Sequence, residues 1–168
     1  VSARLKDGRQ ITARKASFAN NTLTFEFSPR RGVAVLAVDE REDFFTFTIQ
    51  SVTVPDVASL TFFNLRVTPA KYRGNMVNML SDDTDAVCLR GYDLPVEMAL
   101  DGNLPGLRVW TVAERGLTGW RAGLAAGPKP EMTAMLRAMT MEAGVPVSKL
   151  GGAWALGAEA NRGSYLFA

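Results

Sequence analysis

The chain has 168 residues, 47% of them apolar and 21% charged, with 19 Lys and Arg against 17 Asp and Glu and a net charge of +2. That is the make-up of one globular domain with its own core, and it carries no electrostatic footprint for nucleic acid. Histidine is absent and cysteine occurs once, as Cys88, which excludes Ser-His-Asp and Cys-His catalysis, His-ligated metal centres, an internal disulfide and a CxxC motif within these residues.

The first half reads as strands. Residues 11–19 and 22–28 are rich in β-branched and aromatic side chains, and Asn20-Asn21 between them suits the positive φ angles of a tight hairpin turn. Leu23, Phe25 and Phe27 alternate with Thr22, Thr24 and Glu26, which puts an apolar row on one face. Residues 33–38 are almost continuously apolar, the pattern of a strand buried on both faces, and Asp39-Glu40-Arg41-Glu42-Asp43 reads as a solvated turn. Residues 44–54 give the clearest strand signal, Phe45, Phe47 and Ile49 alternating with Thr46, Thr48 and Gln50 up to Pro55-Asp56. Another strand covers 59–67 and stops at Thr68-Pro69.

Shorter strands follow at 76–80, 86–92, 96–100, 107–113 and 120–125, with turns at Ser81 to Asp85, Asp101-Gly102-Asn103, Pro105-Gly106 and Gly116 to Gly119. Turn signals this regular indicate a sandwich or barrel in place of alternating βα units. One segment has the other period: Met132, Met135, Leu136, Met139 and Ala143 recur at helical spacing behind Pro130 and Glu131, and Gly144 follows as a stop. The expected fold is an all-β sandwich over residues 1–150 with one covering α-helix near 130–144, and residues 151–168 are expected as a C-terminal extension or a linker toward a catalytic domain.

Few residues announce chemistry. Asp82, Asp83 and Asp85 share one turn and are the candidate oxygen ligands for a cation such as calcium, although the loop lacks the EF-hand spacing and Asp side chains commonly bond their own turn. Asp93, Glu97, Asp101 and Glu114 flank strands where a pair of carboxylates would suffice for glycoside hydrolysis, but nothing pairs any two of them. Trp120, Trp154 and Tyr165 are the candidate flat faces for a sugar ring, whereas Trp110, inside an apolar strand, reads as core. Cys88 lies in the apolar run Ala86-Val87-Cys88-Leu89 and also reads as core. No cofactor motif is present: Gly151-Gly152 and Gly157 fit neither phosphate-loop spacing.

The run Arg115-Gly116-Leu117-Thr118-Gly119 through Ala125-Ala126-Gly127-Pro128, the helix ending in Glu142-Ala143-Gly144-Val145-Pro146, and Gly151-Gly152-Ala153-Trp154 with Asn161-Arg162-Gly163-Ser164-Tyr165-Leu166-Phe167 carry a family likeness. This last third resembles the segment before the catalytic barrel in large bacterial glycoside-hydrolase-like proteins, where an N-terminal β-sandwich precedes a (β/α)₈ barrel. The resemblance implies a non-catalytic accessory domain of an exported, periplasmic or extracellular protein, its partners being an adjacent catalytic domain of the same chain and a glycan. It carries no catalytic residue onto this chain, since those would lie on the barrel. The abrupt ends, Val1 with no initiator Met and Tyr165-Leu166-Phe167-Ala168, agree with a piece of a longer protein. Neither nucleic acid nor membrane is expected as a partner, since no stretch reaches the roughly 20 apolar residues of a spanning helix. The alternative is a protein-interaction or structural module that binds no sugar and uses the methionine-rich helix or an open sheet edge.

Overall fold

A computed structural model describes residues 1–28, 31–68, 71–100 and 105–144. In chain order these form β1 (Ser2–Leu5), β2 (Gln10–Thr12), β3 (Lys15–Ala19), β4 (Thr22–Glu26), β5 (Val33–Glu40), β6 (Phe45–Val52) and β7 (Val57–Arg66). Then come β8 (Tyr72–Gly74), β9 (Met79–Ser81), β10 (Asp85–Gly91), β11 (Glu97–Leu100), β12 (Gly106–Val112), β13 (Arg121–Pro128) and α1 (Met132–Glu142), with 3₁₀ turns at Asn75–Val77 and Ala113–Arg115. The strands build a five-stranded sheet in the order β11-β12-β7-β1-β2 and an eight-stranded sheet in the order β3-β4-β5-β6-β13-β10-β9-β8. The fold is the expected all-β sandwich with a single helix among the described residues.

The two inner faces meet in one core. Leu36 and Ile49 from the larger sheet and Leu60, Phe62, Leu107 and Val109 from the smaller are fully buried there. Phe47 of β6 meets Phe63 of β7 edge to face across the layers, with ring centroids 4.5 Å apart. Phe62 and Phe63 are neighbours in sequence, yet both turn inward because a bulge shifts the β7–β12 register at this point. Asn78 binds the sheets by polar contact: in a left-handed conformation and fully buried, it donates Nδ2–H to the Leu89 carbonyl of β10 at 2.6 Å and to the Arg108 carbonyl of β12 at 3.4 Å.

The helix forms a third layer on the outside of the eight-stranded sheet. In β10, Val87 and Leu89 face the inter-sheet core while Ala86 and Cys88 face the helix, so this strand is covered on both sides. β13 presents Gly123 and Gly127 beneath the helix, and a Cβ at these positions would lie 2.8 Å from the Met139 methyl and 2.9 Å from the Met135 methyl. Absence of a side chain at two positions four apart on the strand seats two methionines four apart on the helix. The outer face of the five-stranded sheet has no such covering element among the described residues.

Several expectations change. Residues 11–19 are two strands, because the chain crosses from one sheet to the other at Ala13 and Arg14: the Ala13 amide donates to Val1 in the small sheet and the next amide to Glu26 in the large one. β1 and β8 were not foreseen, and residues 76–80 hold a 3₁₀ turn before β9. β5 is not buried on both faces, since only Ala34, Leu36 and Val38 are buried and their neighbours are half-buried outside the footprint of the helix. It also runs on through Asp39 and Glu40, which pair with Thr46 and Phe45 before the turn. The Asn20-Asn21 turn forms as expected, with φ of 49° and 55°. The proposed extension, 151–168, and the end of the 1–150 domain lie outside the described residues.

Candidate functional site

The uncovered face of the five-stranded sheet follows from strand alternation. In β12, Leu107, Val109 and Thr111 are buried, so Arg108, Trp110 and Val112 turn outward. Trp110 pairs with Thr61 of β7, which pairs with Ser2 of β1, which pairs with Thr12 of β2. The neighbouring row runs from Val112 through Ser59 and Arg4 to Gln10. Apart from Thr12, these two rows line a groove of about 290 Å³ together with Arg108.

Within the groove the Arg108 guanidinium carbon lies 4.6 Å from the Trp110 ring centroid. The Arg108 Nε is buried and has no hydrogen-bond partner among the described residues. Gln10 donates Nε2–H to the Ser2 hydroxyl at 3.2 Å, and its side-chain carbonyl oxygen has no hydrogen-bond partner among the described residues. The one carboxylate paired across from Trp110 is Glu97 of β11, and it is held by Arg115 at 3.4 Å. The groove therefore offers an indole, two guanidinium groups, three hydroxyls and an amide, a set suited to recognition and without the acid-base pair that hydrolysis needs.

Gln10 also lines a second groove, of about 390 Å³, that continues over the edge strand β2 to Arg14 and Arg31.

The expected site residues lie elsewhere. Trp120 stands on the loop before β13, its indole N–H donated to the Gly116 carbonyl at 3.0 Å and its ring packed half-buried against the inter-sheet core. Trp154 and Tyr165 lie outside the described residues. Trp110, expected in the core, faces a groove instead; its spacing of two from Arg108 on an alternating strand is the available signal.

Asp82, Asp83 and Asp85 do share one turn, but their oxygens serve the protein. Asp82 Oδ1 accepts the backbone N–H groups of Thr84 and Asp85, both at 2.8 Å, and the Thr84 hydroxyl at 3.0 Å. These backbone bonds, Asp85 first and then Thr84, hold the Asp82 carboxyl below its ordinary range. Asp83 takes the Lys71 ammonium at 2.6 Å and the Tyr72 hydroxyl at 2.8 Å, which lower its pKa in that order. Asp85 accepts the Thr84 hydroxyl at 2.8 Å. Lys129 closes the cluster, 4.2 Å from the Tyr72 ring centroid and bonded to the Asp82 carbonyl. Among the described residues no three His, Cys, Asp or Glu side chains converge as a metal site.

The carboxylates considered for hydrolysis are likewise dispersed. Asp93 grips Arg121 through its backbone N–H at 2.7 Å and its guanidinium at 2.9 Å, Glu97 holds Arg115, Glu114 sits exposed in a 3₁₀ turn, and Asp101 lies outside the described residues. Cys88 is buried as expected; burial pushes its thiol up to about 12, and its Sγ–H donates to the Val77 carbonyl. No described helix is long and apolar enough to cross a membrane. Comparison of the chain with protein-family models, curated proteins and solved structures finds no match.

Proposed function

We propose that this is a non-catalytic accessory domain of a carbohydrate-active, glycoside-hydrolase-like bacterial protein that works outside the cytoplasm, and that it binds glycan on the outer face of its five-stranded sheet. The observation that carries the reading is Trp110, an indole turned out of the core into a groove lined by Ser2, Ser59, Thr61 and Gln10. A sugar offers apolar C–H faces and a rim of hydroxyls, and an aromatic plane beside side-chain hydroxyls and an amide complements both. A glycan-array screen, with intrinsic tryptophan fluorescence as a second readout, tests it. Binding to a defined glycan is the expected result; silence across the array overturns the reading and leaves a scaffold.

A second reading, strand addition by a protein partner, is favoured by β3. Every residue of this edge strand is exposed, and Phe18 is 61% exposed. The helix does not support this reading, because Met132, Met135 and Met139 are all buried against the sheet. Sedimentation velocity of Phe18→Lys beside the wild-type chain tests for strand addition between copies: it abolishes any self-association that uses β3.

A further inference from the structure

The two grooves share Gln10 and lie side by side across β12, β7, β1 and β2, a track whose charged lining side chains are all basic. Arg108 and Arg4 line the first, Arg14 and Arg31 the second, and no Asp or Glu lines either. None of these four arginines forms an ion pair among the described residues. The acids beside the track are Glu97, which is paired across from Trp110 and held by Arg115, Asp7, which is bound to Arg9 at 2.6 Å, and Asp56, which shares a separate recess with Arg31. The chain as a whole is close to neutral, with residues 1–75 carrying 11 basic and 7 acidic side chains and the remainder 8 and 10. Four unpaired guanidinium groups in one polar track therefore reflect local placement more than a generally basic surface.

An unpaired guanidinium in a recess is a fork of donors matched to a planar carboxylate or to a sulfate. Arg108 is fixed for that role by its stack on Trp110, with a buried Nε that still lacks an acceptor. The track crosses three strand spacings, about 14 Å, which suits an extended chain better than a single small anion.

We propose that the track receives an acidic glycan, one bearing carboxylate or sulfate groups, with Arg108 and Arg4 pairing its anionic groups beside Trp110 and Arg14 and Arg31 continuing the contact past the sheet edge. This rests on the glycan-binding reading above and specifies its ligand.

Affinity electrophoresis of the 168-residue chain tests it, in native gels cast with polygalacturonate, hyaluronan, dextran sulfate, neutral dextran or a single-stranded oligonucleotide. The expected result is retardation by at least one acidic glycan and none by dextran, carboxylated and sulfated gels telling which group is read. Arg4→Gln/Arg108→Gln should weaken that retardation about tenfold or more, as for loss of charge-assisted bonds. The charge-matched control Lys15→Gln/Arg137→Gln, on the other sheet and the helix, should weaken it less than twofold. Arg4→Gln alone, which removes no ring contact, should give an intermediate loss. Equal losses in the control and test pairs, or an oligonucleotide retarding as strongly as any glycan, overturn the proposal in favour of unspecific charge attraction. Binding of neutral glycans on an array, lost in Trp110→Ala but kept in the arginine pair, overturns the acidic ligand and leaves the glycan reading standing. Absence of binding to acidic and neutral glycans alike overturns both.

Discussion

The guanidinium of Arg108 lies 4.6 Å from the ring centroid of Trp110, two residues along the same strand and on the same outward face. The pair ties a cation to an aromatic plane on the outer face of the five-stranded sheet, which no described element covers. A partly exposed cation–π contact of this kind contributes about 0.5–1 kcal/mol to stability. Arg108→Ala should therefore lower the urea-unfolding free energy by no more than about 1 kcal/mol, with circular dichroism unchanged. A much larger loss would show that Arg108 serves the fold before it serves a ligand.

Gly123 makes the opposite case, a residue chosen for what it lacks. A Cβ there would collide with the Tyr92 hydroxyl and lie 2.8 Å from the Met139 methyl. Gly123→Ala should cost about 1–3 kcal/mol through overpacking between helix and sheet, read as a fall in the urea midpoint. Gly119 has nothing within 4 Å of a Cβ, but its φ of 83° strains any side chain, so Gly119→Ala should cost only about 1 kcal/mol.

Asn78 is the polar tie between the layers. Replacing it by Leu keeps the volume but leaves the Leu89 carbonyl without its 2.6 Å donor and demands an apolar side chain in a left-handed conformation. The expected cost is about 1–3 kcal/mol in chemical unfolding. Asn78→Asp should be worse, since a buried carboxylate would face carbonyl oxygens.

Alkali should weaken the fold through Cys88 and Tyr92. Burial raises the thiol from 9.0 to about 12 and the phenol from 10.0 to about 12. Between about pH 9 and 12 the unfolded chain gives up these protons while the folded chain keeps them, so the folded state binds more protons and stability falls as pH rises. Below pH 9 both states are protonated and this contribution is fully present. Cys88→Ala should flatten the loss over pH 9–10, and the wild-type thiol should resist a disulfide reagent at pH 8 until the chain is unfolded.

The fold was more legible than the site. Alternation in residues 22–28 and 44–54, the Asn20-Asn21 turn and the helical spacing of Met132, Met135 and Met139 each named their element, because each depends on neighbours in sequence. What failed was non-local. Residues 11–19 look like one strand because nothing in their side chains marks the crossing at Ala13 and Arg14, which is set by amide partners far along the chain. β1 alternates Ser2 and Arg4 with Ala3 and Leu5, but four residues are too short a run to name a strand, and both β1 and β8 exist through pairing with β7 and β9. Trp110 was assigned to the core from the apolar company of Val109 and Val112, although its alternation with Leu107 and Val109 placed it outward. Trp120 is a flat aromatic face in the sequence, yet the turn before it brings the Gly116 carbonyl onto its indole N–H. The acidic turn was legible as a turn and as a cluster, but not the lysines and Tyr72 that β8 and Lys129 bring to it.

The measurement that reaches the central claim most directly is a glycan array probed in parallel with the wild-type chain, Trp110→Ala and Trp120→Ala. Trp110 lines the groove, whereas Trp120, on the loop before β13, packs half-buried against the core. The wild type and Trp120→Ala should bind the same glycans, and Trp110→Ala should lose them by about tenfold or more, as for removal of an aromatic anchor. Binding that survives in Trp110→Ala, or a wild-type chain silent on every glycan, would contradict that claim.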